Sequence, residues 1–217
     1  LKLQTLKSYY NNKYPKKNIT YRRTTRKGTI EIDVRQFLNP HNFMLPDVRG
    51  KDDDETAFNG LMWVIKNIKY TPDKKQYGLS EYWCHGYETF NTRLGDCEDG
   101  AILLYDILRK NEIPAWKLRV TAGWVKVGKS KAGHAYLTYY SVKHDKWVIL
   151  DWCFYPSYRK IADREPYYEN PFYLDVWFSF NEECAWAKAV GKEAKEFLKN
   201  KLFQPFHTTK DRGCLLY

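Results

Sequence analysis

Cys97 stands between two acidic residues in the run Arg93-Leu94-Gly95-Asp96-Cys97-Glu98-Asp99-Gly100, where a helix is predicted to begin. Carboxylates beside a thiol raise its pKa and weaken it as a nucleophile. A helix N-terminus works the other way. It carries about half a positive charge and offers backbone N–H groups to a thiolate or an oxyanion. His134 and Asp151 could complete a nucleophilic site. An imidazole touching the thiol takes its proton, and a carboxylate behind the imidazole fixes the tautomer and stabilises the imidazolium. The chemistry would be attack on an amide through an acyl-enzyme intermediate. Cys97 would be the nucleophile, His134 the general base and then acid, and Asp151 the orienter, with the Cys97 backbone N–H as one oxyanion donor. Singly, each has a plainer role: a buried structural thiol, a surface histidine at a strand end, and a turn former or cap.

The elements that must position these residues can be read from periodicity. Ala57, Leu61, Val64, Ile65 and Ile68 follow helical spacing after the acidic run Asp52-Asp53-Asp54, with Asp53 or Asp54 as the candidate N-cap. A second helix is predicted from about Cys97 to Lys110, its apolar face made by Ala101, Ile102, Leu104, Tyr105 and Leu108, and ended by Pro114. Three strand-like runs follow, at 116–127, 134–142 and 146–152, as an antiparallel meander. The fold class is α+β. The turn between the last two strands decides whether His134 and Asp151 can meet. A two-residue turn at His144-Asp145 puts Asp151 opposite Thr138, roughly 13 Å too far at about 3.3 Å per residue. A four-residue loop, Ser141 to His144, pairs Tyr140 with Asp145 and brings Asp151 opposite His134. A short strand is predicted within 29–38, an aromatic-rich irregular segment follows residue 156, and a closing helix with a Ser179/Glu182 capping box completes the chain.

The chain has 217 residues, 43% hydrophobic and 29% charged, enough for one domain with a full core. Its five cysteines, Cys84, Cys97, Cys153, Cys184 and Cys214, are scattered and form no C-x-x-C pair. This argues against a disulfide framework or a zinc knuckle, and makes a reducing compartment the default. No stretch approaches a membrane span and no signal peptide is visible, so a cytoplasmic or virion-associated location is the expectation. Of the net charge of +10, nine positive charges lie in residues 1–30, which hold no Asp or Glu. The expected organisation is a basic arm over 1–30, able to bind a polyanion or a larger assembly, and a single domain over 31–217.

One stretch resembles a known family. Residues 87–120 together with Ala132-Gly133-His134-Ala135-Tyr136 and Trp147-Val148-Ile149-Leu150-Asp151-Trp152 look like the bacterial transglutaminase-like cysteine peptidases, of the transglutaminase/papain-like superfamily. The family's G-D-C-E-D signature is intact at Gly95 to Asp99, and its upstream tryptophan and Glu-Thr pair are matched by Trp83 and Glu88-Thr89. The likeness covers roughly residues 55 to 155. It implies a transglutaminase-like (papain-like) fold with the catalytic cysteine at a helix N-terminus, packed on an antiparallel sheet that carries His and Asp. It implies a protein or peptide substrate and no required cofactor. Trp83 is a candidate for the substrate pocket or the oxyanion site, with a core position as its plainer reading. Acidic residues flanking the cysteine hold calcium in some relatives, which permits calcium at Asp96 and Glu98, with Asp52-Asp53-Asp54 as helpers. In the alternative, Asp96 only caps the helix and Asp99 pairs with Arg93 or Arg119. Transglutaminase-type acyl transfer and a structural role, for example in a phage virion, stay open beside hydrolysis.

Overall fold

The computed structural model describes residues 18–25, 28–41, 44–187 and 207–209. Its centre is a five-stranded antiparallel sheet in the order β7-β6-β5-β8-β9, built from β5 (Leu118–Val127), β6 (Ser130–Ser141), β7 (Lys146–Leu150), β8 (Tyr173–Phe180) and β9 (Ala185–Ala187). Two helices belong to the same core: α1 (Asp53–Asn67) and α4 (Cys97–Lys110). Between them lie β3 (Lys69–Tyr70), α2 (Asp73–Gln76), α3 (Gly86–Thr92) and β4 (Leu94–Gly95). Helices packed against an antiparallel sheet make the α+β class predicted from sequence.

Helix α4 is buried along nearly its whole length, from Glu98 to Leu108. It is the central helix of the core rather than a surface one. Leu104 and Leu108 crowd Gly60 of α1, where a Cβ would lie 2.5 Å from Leu108 Cδ2. The N-cap of α1 is Asp52, which accepts from the Glu55 N–H at 2.9 Å, and not Asp53 or Asp54, the predicted caps. Asp53 and Asp54 are then free to tie α1 to the sheet side, through Lys117 (2.5 Å), Tyr139 (2.7 Å) and Ser141 (2.8 Å).

The basic N-terminal region is not all tail. Residues 18–25 form β1 (Asn18–Thr25), paired antiparallel with β2 (Gly28–Asp33) and with β10 (His207–Thr209). Ile19 and Tyr21 are buried, and Tyr21 stacks on Trp83 with ring centroids 5.2 Å apart. The predicted strand over 29–38 ends at Asp33, whose carboxylate caps a 3₁₀ turn, Val34–Phe37. Residues 1–17 lie outside the described residues.

The closing segment also departs from expectation. Ser179 sits in β8 opposite Thr121, not at a helix cap. The Asn181 side-chain oxygen accepts from the N–H groups of Glu183 (2.9 Å) and Cys184 (2.7 Å), which turns the chain into β9. The buried aromatics Phe178 and Phe180 decide the strand by joining the core. Of the predicted helix, residues 188–203 lie outside the described residues. Among the described residues no helix is long and apolar enough to cross a membrane.

Candidate active site

The structure brings His134 and Asp151 together. His134 Nε2 and Asp151 Oδ2 are 2.6 Å apart, and both side chains are buried. The register achieving this was not one of the two foreseen. Ser141 faces Lys146 and Leu137 faces Leu150, so the loop is Val142–Asp145, with Asp145 at φ 47°. β7 ends at Leu150, and the next position of that ladder would set Asp151 against Tyr136, on the same face as His134 and diagonal to it. Diagonal neighbours are within reach of side chains. The Asp151 carboxylate is held by four donors or donor candidates: His134 and Tyr173 Oη (2.7 Å) on Oδ2, the N–H groups of Cys153 (3.0 Å) and Phe154 (3.1 Å) on Oδ1. Burial alone would raise its pKa. The charge and hydrogen bond of His134, with the other donors, outweigh burial and hold it below the usual carboxylate value.

Cys97 is the first residue of α4, with Asp96 as the N-cap. Trp152 lies across this helix start and donates from Nε1 to the Cys97 carbonyl at 3.1 Å. Gly100 leaves room for the indole: a Cβ there would sit 2.2 Å from Trp152 Cε2 and Nε1. The Cys97 thiol donates to Glu98 Oε2 at 3.2 Å and lies against the backbone of Ala135, the residue after His134. Burial, then the Asp96 carboxylate, push its pKa well above the free-thiol value. In this arrangement the thiol is turned to Glu98, and the acidic neighbours oppose the thiolate that the helix start favours.

Those neighbours form a larger cluster than the sequence indicated. Oxygens of Asp73, Asp96 and Asp99 lie within 4.8 Å of one another, and so do oxygens of Asp73, Glu81 and Glu98. Burial raises all five carboxyls, Asp73 to about 7, and neighbouring carboxylate charge adds to it at Asp73, Glu81, Glu98 and Asp99. Asp73 Oδ1, Asp96 Oδ1 and Glu98 Oε1 are buried and have no hydrogen-bond partner among the described residues. An all-oxygen donor set with orphaned, buried carboxylate oxygens fits a hard divalent cation. Asp52, Asp53 and Asp54 are not part of it, because they are tied to Lys143, Lys117, Tyr139, Ser141 and the Glu55 N–H. The expected ion pair of Asp99 does not form either. Asp99 accepts from the N–H groups of Cys84 (2.8 Å) and Asp96 (3.3 Å), while Arg93 stacks on Phe90 and Arg119 lies between Trp147 and Trp186.

Trp83 is fully buried among Tyr21, Phe37, Phe178 and Phe180, and its indole N–H donates to Glu81 Oε1 at 2.7 Å. Its placement is that of a core residue with its N–H committed, and not of an oxyanion donor. Sequence reasoning missed Tyr173, Trp152, Asp73 and Glu81, and it weighed Asp99 between the metal question and an ion pair. Trp152 and Asp99 stood inside the recognised motifs, whereas Tyr173, Asp73 and Glu81 lie in irregular or aromatic-rich stretches with no pattern to mark them.

The family model of the transglutaminase-like superfamily matches residues 46–152. No curated protein matches the chain. Among solved structures, Legionella pneumophila LapG is 23% identical over 71% of this chain and 81% of that one, at a TM-score of 0.49. Its calcium-bound form gives 21% identity, 74% and 93% coverage and a TM-score of 0.45. Its EGTA-treated form gives 24%, 64%, 69% and 0.47. With the G-D-C-E-D signature at a helix start and the helix-on-sheet architecture, the region over residues 46–152 belongs to the transglutaminase-like superfamily.

Proposed function

We propose that this protein is a cysteine-dependent amide hydrolase acting on a protein or peptide substrate through Cys97, His134 and Asp151. The observation that carries the reading is the buried 2.6 Å His134–Asp151 pair beside a cysteine that opens a helix. With Nε2 committed to Asp151, Nδ1 is the ring nitrogen left for the thiol. The thiol turns from Glu98 to His134 and gives up its proton, and the thiolate attacks the amide carbonyl. The N–H groups at the start of α4 face the developing oxyanion. His134, now imidazolium and stabilised by Asp151, returns the proton to the leaving amine. It then takes one from the water that hydrolyses the acyl-enzyme.

Calcium is part of this reading. Asp96 and Glu98 would hold it, with Asp73, Glu81 and Asp99 at hand, and it would supply positive charge against a field that otherwise suppresses the thiolate. Nothing in the comparisons points to a phage or a virion.

The test is labelling with a thiol-reactive, amide-mimicking probe, with calcium present. Modification of Cys97 alone is expected, abolished in His134→Ala. Labelling spread evenly over the cysteines would refute the reading. Product analysis with and without an added primary amine then separates hydrolysis from acyl transfer.

A further inference from the structure

The catalytic proposal leaves one potential metal ligand beside the triad unused. Cys153 follows Asp151 by two residues and is partly exposed, and its thiol is held against the Asp151 carboxylate. One ring nitrogen of His134, one Asp151 oxygen and Cys153 Sγ lie within 4.8 Å of one another. These are nitrogen, oxygen and sulfur donors at one point, whereas the cluster around Asp96 offers mainly carboxylate oxygen. The two sites therefore differ in the ion they favour.

We infer that His134, Asp151 and Cys153 form a binding site for a borderline-soft divalent cation, Zn2+ by its ligand chemistry, and that filling it blocks the general base. Three protein ligands of this kind with the fourth position left to solvent are a common zinc arrangement. On binding, the Cys153 thiol loses its proton to solvent and its sulfur joins the metal. If Nε2 is the ligating nitrogen, its hydrogen moves to Nδ1. Asp151 is already an anion, and nothing is oxidised or reduced. The surroundings already hold the ligands in place. Tyr173 Oη donates to Asp151, and Phe154 packs on the His134 ring with centroids 5.1 Å apart. Such outer contacts orient metal ligands. His134 is 5% exposed and Asp151 1%, so the ion enters past Cys153.

Co2+ serves as the spectroscopic probe, titrated into the full chain with calcium in excess to occupy the carboxylate cluster. A thiolate-to-cobalt charge-transfer band saturating near one equivalent is expected in the wild type and in Cys97→Ala. In Cys153→Ser the band should vanish and the affinity should fall at least about tenfold. A band of equal strength in Cys153→Ser, or none in the wild type, overturns the inference. Should Cys153→Ser fail to fold, alkylation mapped by mass spectrometry on the wild type decides. Zn2+ should protect Cys153, and undiminished alkylation there overturns the site. Neither readout depends on turnover, so this inference and the hydrolase reading fail separately.

Discussion

The indole of Trp152 donates a 3.1 Å hydrogen bond to the carbonyl of Cys97, joining the end of the third meander strand to the first residue of the central helix. Cys97 and Asp151 are thus linked to one another by the residue that follows Asp151. That contact exists only because position 100 has no side chain: a Cβ would stand 2.2 Å from the indole. Gly100→Ala is expected to destabilise the fold by about 1–3 kcal/mol through overpacking and to slow probe labelling of Cys97. Trp152→Phe loses the hydrogen bond but relieves nothing, and should cost about 0.5–1.5 kcal/mol from this contact. Thermal unfolding of both variants checks this. An unchanged midpoint in Gly100→Ala would remove the packing argument.

Tyr173 gives a second handle on the site. Its hydroxyl bonds the same Asp151 oxygen that His134 holds, at 2.7 Å. Tyr173→Phe removes one donor from a buried carboxylate, so the Asp151 pKa should rise and its hold on His134 weaken. A loss of one hydrogen bond of about 1–1.5 kcal/mol predicts a fall in kcat of about fivefold to tenfold, with the acid limb of the pH–rate profile displaced upward. Cys97→Ala and His134→Ala should instead abolish turnover, and Asp151→Asn should come close to it. A Tyr173→Phe enzyme with an unaltered profile would show that the phenol is mere packing.

Cys97, His134 and Asp151 were legible in the sequence as a candidate site because they sit in compact motifs at the ends of predicted elements. Helix α4 and the three-strand meander follow from hydrophobic periodicity. The register was not legible to the residue, because it depends on where Asp145 takes up a left-handed conformation, which nothing in Lys143-His144-Asp145-Lys146 dictates. The carboxylate cluster was half visible. Asp96, Glu98 and Asp99 are one run, but Asp73 and Glu81 come from a connection without periodicity, and only the fold brings them to Asp96 and Glu98. The acidic run 52–54 was assigned to the wrong place for the same reason. A charge does not name its partner, and Lys117, Tyr139 and Ser141 come more than sixty residues later. In β1, Arg22 and Arg23 hid the alternation of Ile19 and Tyr21 that buries that strand.

The five clustered carboxyls make a prediction about stability. The Asp73 pKa, 3.8 in an ordinary carboxyl, is pushed up to about 7 by burial and then by the charge of Asp96. Burial also drives Glu81, Glu98 and Asp99 well above the usual range. A group with a raised native pKa binds more protons folded than unfolded, so its contribution is full below 3.8 and is lost as pH rises through about 7. With EGTA present, the melting temperature should therefore fall between about pH 5 and about pH 8. Calcium held at the proposed site would favour the ionised carboxylates, so it should raise the melting temperature more at the upper end of that window. Asp73→Asn should flatten the EGTA curve. Identical slopes in the wild type and Asp73→Asn would show that the cluster does not govern this window.

The last prediction concerns where the domain begins. Reading residues 1–30 as a detachable basic arm predicts that all of it can be removed without loss of fold. The burial of Ile19 and Tyr21 in β1 favours a boundary earlier in the chain. Tyr21 is fully buried, stacks on Trp83, accepts from the Trp83 N–H at 3.3 Å and donates to the Glu81 carbonyl at 3.1 Å. It thereby braces the segment that supplies Glu81 to the carboxylate cluster. Deleting residues 1–17 should leave the melting temperature nearly unchanged. Deleting 1–28 removes β1 with Ile19 and Tyr21, and should destabilise the fold by at least the cost of one large buried aromatic, about 3–5 kcal/mol. Tyr21→Ala in the full chain should reproduce most of that loss and weaken calcium binding as well. The two truncations also divide the positive charge. Lys2, Lys7, Lys13, Lys16 and Lys17 go with the shorter deletion, while Arg22, Arg23, Arg26 and Lys27 go only with the longer one. If the arm binds duplex DNA through the first five, the log–log salt slope of the full chain should be shallower by about 4–5 after the shorter deletion. Equal melting temperatures for the two truncations would overturn the boundary. A salt slope unaltered by the loss of five lysines would remove the arm from polyanion binding.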